Sequence, residues 1–160
     1  MSEGEDDELA RAKARVGQVL KEKWTLDQLL GVGGMGAVYA ATHRNKKRGA
    51  VKILHPELSA EASIRQRFLR EGYAANSVGH RGAVEVFDDD VAEDGAAYLV
   101  MELLEGESVE RRWERKGRRL PAREVLAIAD QLLDTLAEAH AKDIVHRDIK
   151  PENLFLQKGG

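Results

Sequence analysis

His146-Arg147-Asp148-Ile149-Lys150-Pro151-Glu152-Asn153 is the stretch on which the reading of this 160-residue chain turns. Asp148 stands two residues before Lys150 and five before Asn153. Those three groups suit phosphoryl transfer. A carboxylate orients the attacking hydroxyl, a lysine stabilises the migrating charge, and an amide oxygen binds magnesium without adding net charge. Each residue alone would be an ordinary loop residue, whereas the whole run is a specific signal. Ile144 and Val145 lead into it, and Leu154 to Leu156 return to strand character after it.

Upstream of this loop the periodicity is helical. Ser108 to Lys116 predicts a short polar helix stopped by Gly117. Pro121 opens a longer helix to about Ala141, with Val125, Ile128, Ala129, Leu132, Leu133 and Leu136 on its apolar face. Before Gly106 the pattern is mainly of strands. Trp24 to Leu30, Ala37 to Thr42, Gly49 to Leu54, Ala83 to Val91 and Ala96 to Leu104 give five, and Asp94-Gly95 is a hairpin signal between the last two. Strands first and helices after predict an α+β fold in two lobes.

The first hairpin carries Gly31-Val32-Gly33-Gly34-Met35-Gly36 at its tip. Backbone without Cβ atoms can approach phosphates closely enough to donate several amide hydrogens. Gly31, Gly33 and Gly36 form GxGxxG, which by itself is also compatible with a plain flexible hairpin. A dinucleotide-binding site of the Rossmann type would need a helix after the motif and an acidic residue roughly 20 positions later. A strand follows instead, and Lys52 is the charged residue near that position.

Strand alternation turns Ala50, Lys52 and Leu54 one way and Val51 and Ile53 the other, so Lys52 shares a face with apolar neighbours. Ser59 is placed to cap a helix reaching about Asn76, with Ile64, Phe68, Glu71 and Ala75 on its inner stripe. A buried Glu71 would need a partner, and Lys52 is the candidate. Taken alone, a surface lysine and an ion pair within the helix would fit as well.

Composition removes several other chemistries. The absence of cysteine excludes disulfides, thiolate metal sites and a cysteine nucleophile, and fits a reducing cytosol, so a cytoplasmic location is expected. With 28 acidic against 25 basic side chains and no basic stripe, nucleic acid is not an expected partner. No apolar run approaches the roughly 18 to 20 residues that span a bilayer, so no membrane partner is expected. His43, His55, His80 and His140 show no ligand-like spacing and read as surface or packing residues. Residues 1–23, opening on Glu3, Glu5, Asp6, Asp7 and Glu8, read as a charged, flexible leader.

In this order the glycine loop, Lys52, Glu71 and the 146–153 run resemble the eukaryotic-type (Hanks-type) protein kinase family. The bacterial branch with a Gly-Val-Gly-Gly-Met-Gly loop is the most similar, and the resemblance runs from Trp24 to the end. It implies a kinase N-lobe and hinge over residues 24–104, a five-stranded antiparallel sheet with one helix, and part of the C-lobe over 105–160. It implies ATP and Mg2+ as cofactors and a protein serine or threonine hydroxyl as acceptor, since a lysine follows Asp148 as in the serine/threonine class. Gly31, Gly33 and Gly36 match the phosphate loop. Leu30, Val38 and Ala50 match positions enclosing the adenine, Met101 the gatekeeper, and Glu102 to Leu104 the hinge. Lys52 and Glu71 match the lysine–glutamate pair, Asp148 the catalytic base, Lys150 the phosphate lysine, Asn153 a magnesium ligand and Phe155 the floor beneath the adenine. Arg147 matches the arginine that reads a phosphorylated activation loop.

The family pattern continues to a DFG segment, an activation loop and an APE segment, and none of these occurs in the 160 residues. Without the DFG aspartate, magnesium keeps only Asn153, and the long helix from Pro121 lacks packing partners. Doubtful activity, exposed apolar surface and low stability are therefore expected of the chain as given. A non-catalytic ATP-binding or interaction module is the alternative.

Overall fold

The computed structural model describes residues 3–145 and 149–158, which fall into two compact units. The first comprises residues 1–73 and 85–103 and is built on one antiparallel sheet. Its strands are β1 (Val19–Leu20), β2 (Trp24–Val32), β3 (Gly36–His43), β4 (Arg48–Leu54), β5 (Val86–Val91) and β6 (Ala97–Met101). They lie in the order β1-β2-β3-β4-β6-β5, so the sheet has six strands rather than the expected five. The additional strand is the two-residue β1, too short to leave a period-two signature. The hairpin after β5 turns where Asp-Gly predicted it, with Gly95 at φ 88° and Ala92 N–H donating to Ala96 O.

Both faces of this sheet are covered. Leu20, Leu26, Ala37, Tyr39, Val51, Ile53, Tyr98 and Val100 form one core. The flanking side chains of the same strands, Leu54, Ala97 and Leu99, pack with Phe68 and Val86 in the other. The alternation assigned to Gly49–Leu54 is thus the observed one: Val51 and Ile53 go to the first core, Leu54 to the second.

The first core is closed by the segment read as a flexible leader. Residues Glu3–Ala14 form helix α1, with Ala12 buried in that core and the Tyr39 hydroxyl donating to Ala12 O at 2.7 Å. Arg11 pairs with Glu57, Arg15 with Asp94, and Lys21 N–H donates to Glu93. The acidic opening of the leader suits a helix start, because carboxylates favour the positive end of the helix dipole.

The second core is closed by α3 (Ala62–Val78), which follows a single helical turn, α2 (Pro56–Ser59). Ser59 does not cap the longer helix. It is buried, and its hydroxyl accepts a hydrogen bond from Ala97 N at 3.0 Å, tying α2 to β6.

The second unit comprises residues 74–84 and 104–160. It holds a two-stranded ladder, β7 (Gly106–Ser108) with β8 (Phe155–Gln157), and helices α4 (Val109–Arg115) and α5 (Ala122–Ala141). Ser108 caps α4 by accepting from Arg111 N–H, and the chain leaves the helix through Gly117 at φ 74°. Glu107 and Glu124 gather Arg112, Arg115 and Lys116 into one ion-pair network that joins β7, α4 and α5. Lys142 Nζ donates to Val78 O at 2.6 Å, and His80 bonds Asp134 at 2.9 Å.

Candidate active site

In the first unit, register brings most of the expected nucleotide residues onto one face. Val38 is paired with Lys52, Ala50 with Met101, Lys52 with Leu99, and Gly31 with Val38. Directly opposed residues of an antiparallel pair project from the same face. Val38, Ala50, Lys52 and Met101 therefore share a side of the sheet with Leu54 and Leu99. Ala50 is buried, Val38 and Met101 are partly buried, and Leu30 is 47% exposed at the end of β2. Glu102 follows β6 and is fastened to Glu85 twice, N–H to O at 2.9 Å and carboxylate from Glu85 N–H at 3.0 Å.

The glycine loop is a tight hairpin tip, with Gly33 N–H donating to Gly36 O at 2.9 Å. Its glycines are needed for different reasons. A Cβ on Gly31, Gly33 or Gly34 would meet no atom within 4 Å, so their missing side chains leave open space beside the backbone. A Cβ on Gly36 would overlap the carbonyl oxygen of Ile53 on β4. The last glycine of the motif is thus a packing requirement, and the space beside the earlier ones is open.

Lys52 is half-buried, with its ammonium 5.9 Å from the centre of the Phe68 ring. Among the described residues it has no carboxylate partner. The expected partner is elsewhere: Glu71 is 62% exposed and accepts from Arg67 Nε at 2.9 Å, one helical turn away. The expectation of a buried Glu71 bound to Lys52 is therefore not met. The stripe of α3 facing the sheet runs through Ile64, Phe68, Leu69 and Tyr73, with Gly72 between. A Cβ on Gly72 would overlap Leu99, so the helix lies against β6 where it has no side chain, and Glu71, one residue round, faces outward. Tyr73 donates to Asp89 at 2.5 Å, and burial, then that hydrogen bond, pushes its phenol up to about 12.

In the second unit, Lys150 is exposed and extended, and Asn153 closes a single 3-10 turn over Pro151–Asn153. Leu104 is partly buried, and Phe155, opposite Ser108 in the ladder, is 42% exposed. Asp148, with His146 and Arg147, lies outside the described residues. Among the described residues no group of three histidine or acidic side chains could hold a metal ion, and no helix is long and apolar enough to cross a membrane.

A sheet with a glycine-rich hairpin tip, an inward lysine on the third long strand and a polar loop after a long helix is the arrangement of protein kinases. The protein kinase domain profile matches residues 24–160, and the chain belongs to that family. It is 44% identical over 128 residues to the serine/threonine-protein kinase Pkn1 of Myxococcus xanthus, covering 79% of this chain and 18% of that one. It is 37% identical over 151 residues to PknA of Mycobacterium tuberculosis, covering 91% and 35%. Among solved structures it matches the PknI kinase domain of M. tuberculosis with a TM-score of 0.75 at 30% identity, over 89% of this chain and 57% of that one. The chain thus spans about a fifth to a third of the length of these curated relatives. The relatives are bacterial serine/threonine kinases, and their family uses ATP and a divalent metal.

Proposed function

We propose that this chain supplies the ATP-binding residues and the catalytic loop of a serine/threonine protein kinase. The observation that carries this is the shared sheet face: Lys52, without a carboxylate partner among the described residues, stands in register with Val38 and beside Ala50 and Met101. The open glycines of the loop continue the same hairpin. An ammonium on an apolar face calls for an anion, and a triphosphate bound through its adenine at Ala50 and Met101 provides one.

In this reading the amides of residues 31–36 cradle the phosphates and Lys52 holds the α and β groups. The family pattern assigns acceptance of the hydroxyl proton to Asp148, stabilisation of charge on the transferred γ-phosphoryl group to Lys150 and support of the adenine to Phe155. For ATP the residues fit. For Mg2+ the described residues do not form a site, Asn153 being one oxygen donor.

The position of Glu71 favours a second reading, a non-catalytic ATP-binding or interaction module, because Lys52 is not held by the helix carboxylate. The two separate on the purified chain given γ-labelled ATP, magnesium and a generic serine/threonine substrate. Labelled product that vanishes in Asp148→Asn is the result expected for a kinase. ATP-dependent stabilisation that vanishes in Lys52→Ala, without labelled product, supports the non-catalytic module. If neither is seen, the kinase reading and the ATP-binding reading both fall.

A further inference from the structure

His55 follows β4 and precedes Pro56, and its backbone N–H, its carbonyl and its ring Nε2 are engaged on the phosphate loop or on α2. Its N–H donates to Met35 O at 2.9 Å, extending the β3–β4 ladder past its last pair. Its ring Nε2 lies 2.9 Å from Gly33 O, and a carbonyl oxygen only accepts, so Nε2 carries the hydrogen. Its own carbonyl receives Leu58 N–H and Ser59 N–H, both at 3.0 Å. A residue before proline is confined to extended backbone, and His55 sits there at φ −55°, ψ 139°. Pro56 thus holds the backbone from which the ring reaches the loop.

We infer that His55 is a positioning residue that aims the amide donors of the phosphate loop. The inference rests on the reading of residues 31–36 as that loop. In a trans peptide, a carbonyl and the N–H of the next residue point in opposite directions within one plane. Holding Gly33 O therefore turns Gly34 N–H away from His55, and holding Met35 O does the same for Gly36 N–H. The N–H groups of Gly34 and Met35 have no partner among the described residues, so they remain available to a ligand. Glycine-rich backbone loses much entropy on ordering, and a side chain that orders it before the ligand arrives raises affinity. His55 takes that role from outside the motif, because Gly33 and Gly34 have no side chains with which to hold themselves.

The test compares the whole chain with His55→Leu, which removes the ring donor, and His55→Gln, whose amide nitrogen reaches a similar point. Amide exchange is followed at Gly33 and at residue 55 without nucleotide, and affinity is then measured for a fluorescent ATP analogue. His55→Leu is expected to speed exchange at Gly33 about five-fold or more and to weaken the analogue by a similar factor, with His55→Gln within about two-fold of the original chain. Melting temperatures of the three proteins separate a local loosening from a global one. Unchanged exchange at Gly33 in His55→Leu, or equal loss in both variants, overturns the inference. So does faster exchange with unchanged affinity, which would leave His55 holding a loop that needs no holding. If the original chain binds no analogue, the ATP reading falls, and the exchange arm still decides whether His55 holds the loop.

Discussion

Gly36 and Gly33 stand three residues apart in one motif and answer to different forces. Alanine at Gly36 would drive its Cβ into the Ile53 carbonyl, and separating β3 from β4 to relieve that overlap costs at least about 2 kcal/mol. Alanine at Gly33 meets nothing. Thermal melting is therefore expected to show a large loss for Gly36→Ala and little for Gly33→Ala, whose effect would appear in ATP affinity instead. Glu71 supports a prediction of the opposite kind. An exposed i,i+4 pair contributes about 0.3–0.5 kcal/mol, so Glu71→Ala should barely move a denaturation midpoint, whereas a buried partner of Lys52 would cost several times more. The sequence made Lys52 legible through the parity of its strand. The helical period misplaced Glu71 on the inner stripe, because a stripe drawn through residues 64, 68, 71 and 75 and one through 64, 68, 72 and 73 differ by a single step of the helix. Gly72 was the available signal: a glycine inside a helix often marks a close approach, here to Leu99.

At the scale of elements, α1 covers a sheet face that the charge of its sequence concealed. A helix with five acidic residues near its start and little apolar surface resembles disordered chain, and what anchors it is Ala12 and a hydrogen bond to its backbone rather than an apolar stripe. Tyr39 makes that bond from a fully buried position. Tyr39→Phe would leave the Ala12 carbonyl with only the longer bond from Arg15 N–H, 3.2 Å, and a loss of about 1 kcal/mol in urea denaturation is expected. Equal stability of Tyr39→Phe and the original chain would show that α1 is not held at this point. Helices α4 and α5 were more legible, because Ser108, Gly117 and Pro121 are local stop and start signals that tertiary packing did not override.

Over the molecule as a whole, the three tyrosines, Tyr39, Tyr73 and Tyr98, all belong to the first unit. Burial raises the phenol pKa of each above its ordinary value. A raised pKa means that the folded state favours the neutral phenol, so this contribution is complete below the unfolded value of 10.0 and is lost as pH climbs toward about 12 for Tyr73. Absorbance at 295 nm should therefore show no tyrosine titrating near pH 10, followed by a cooperative rise with unfolding at higher pH; an ordinary curve centred at 10 would contradict this burial. Tyr73→Phe should flatten part of the stability loss above pH 10. The second unit presents Leu126 at 68% and Leu133 at 64% exposure on α5, together with Val125, so the expected exposed apolar surface is present among the described residues.

The overlap that forbids a side chain at Gly36 also bears on how descendants of this sequence should be judged. A copy that no longer used ATP would be free to drift at Gly31, Gly33 and Gly34, where a methyl group meets nothing, yet its sheet would still hold Gly36 fixed. Retention of the last glycine in such a lineage would record a fold still in use, and only the earlier ones would testify to a nucleotide.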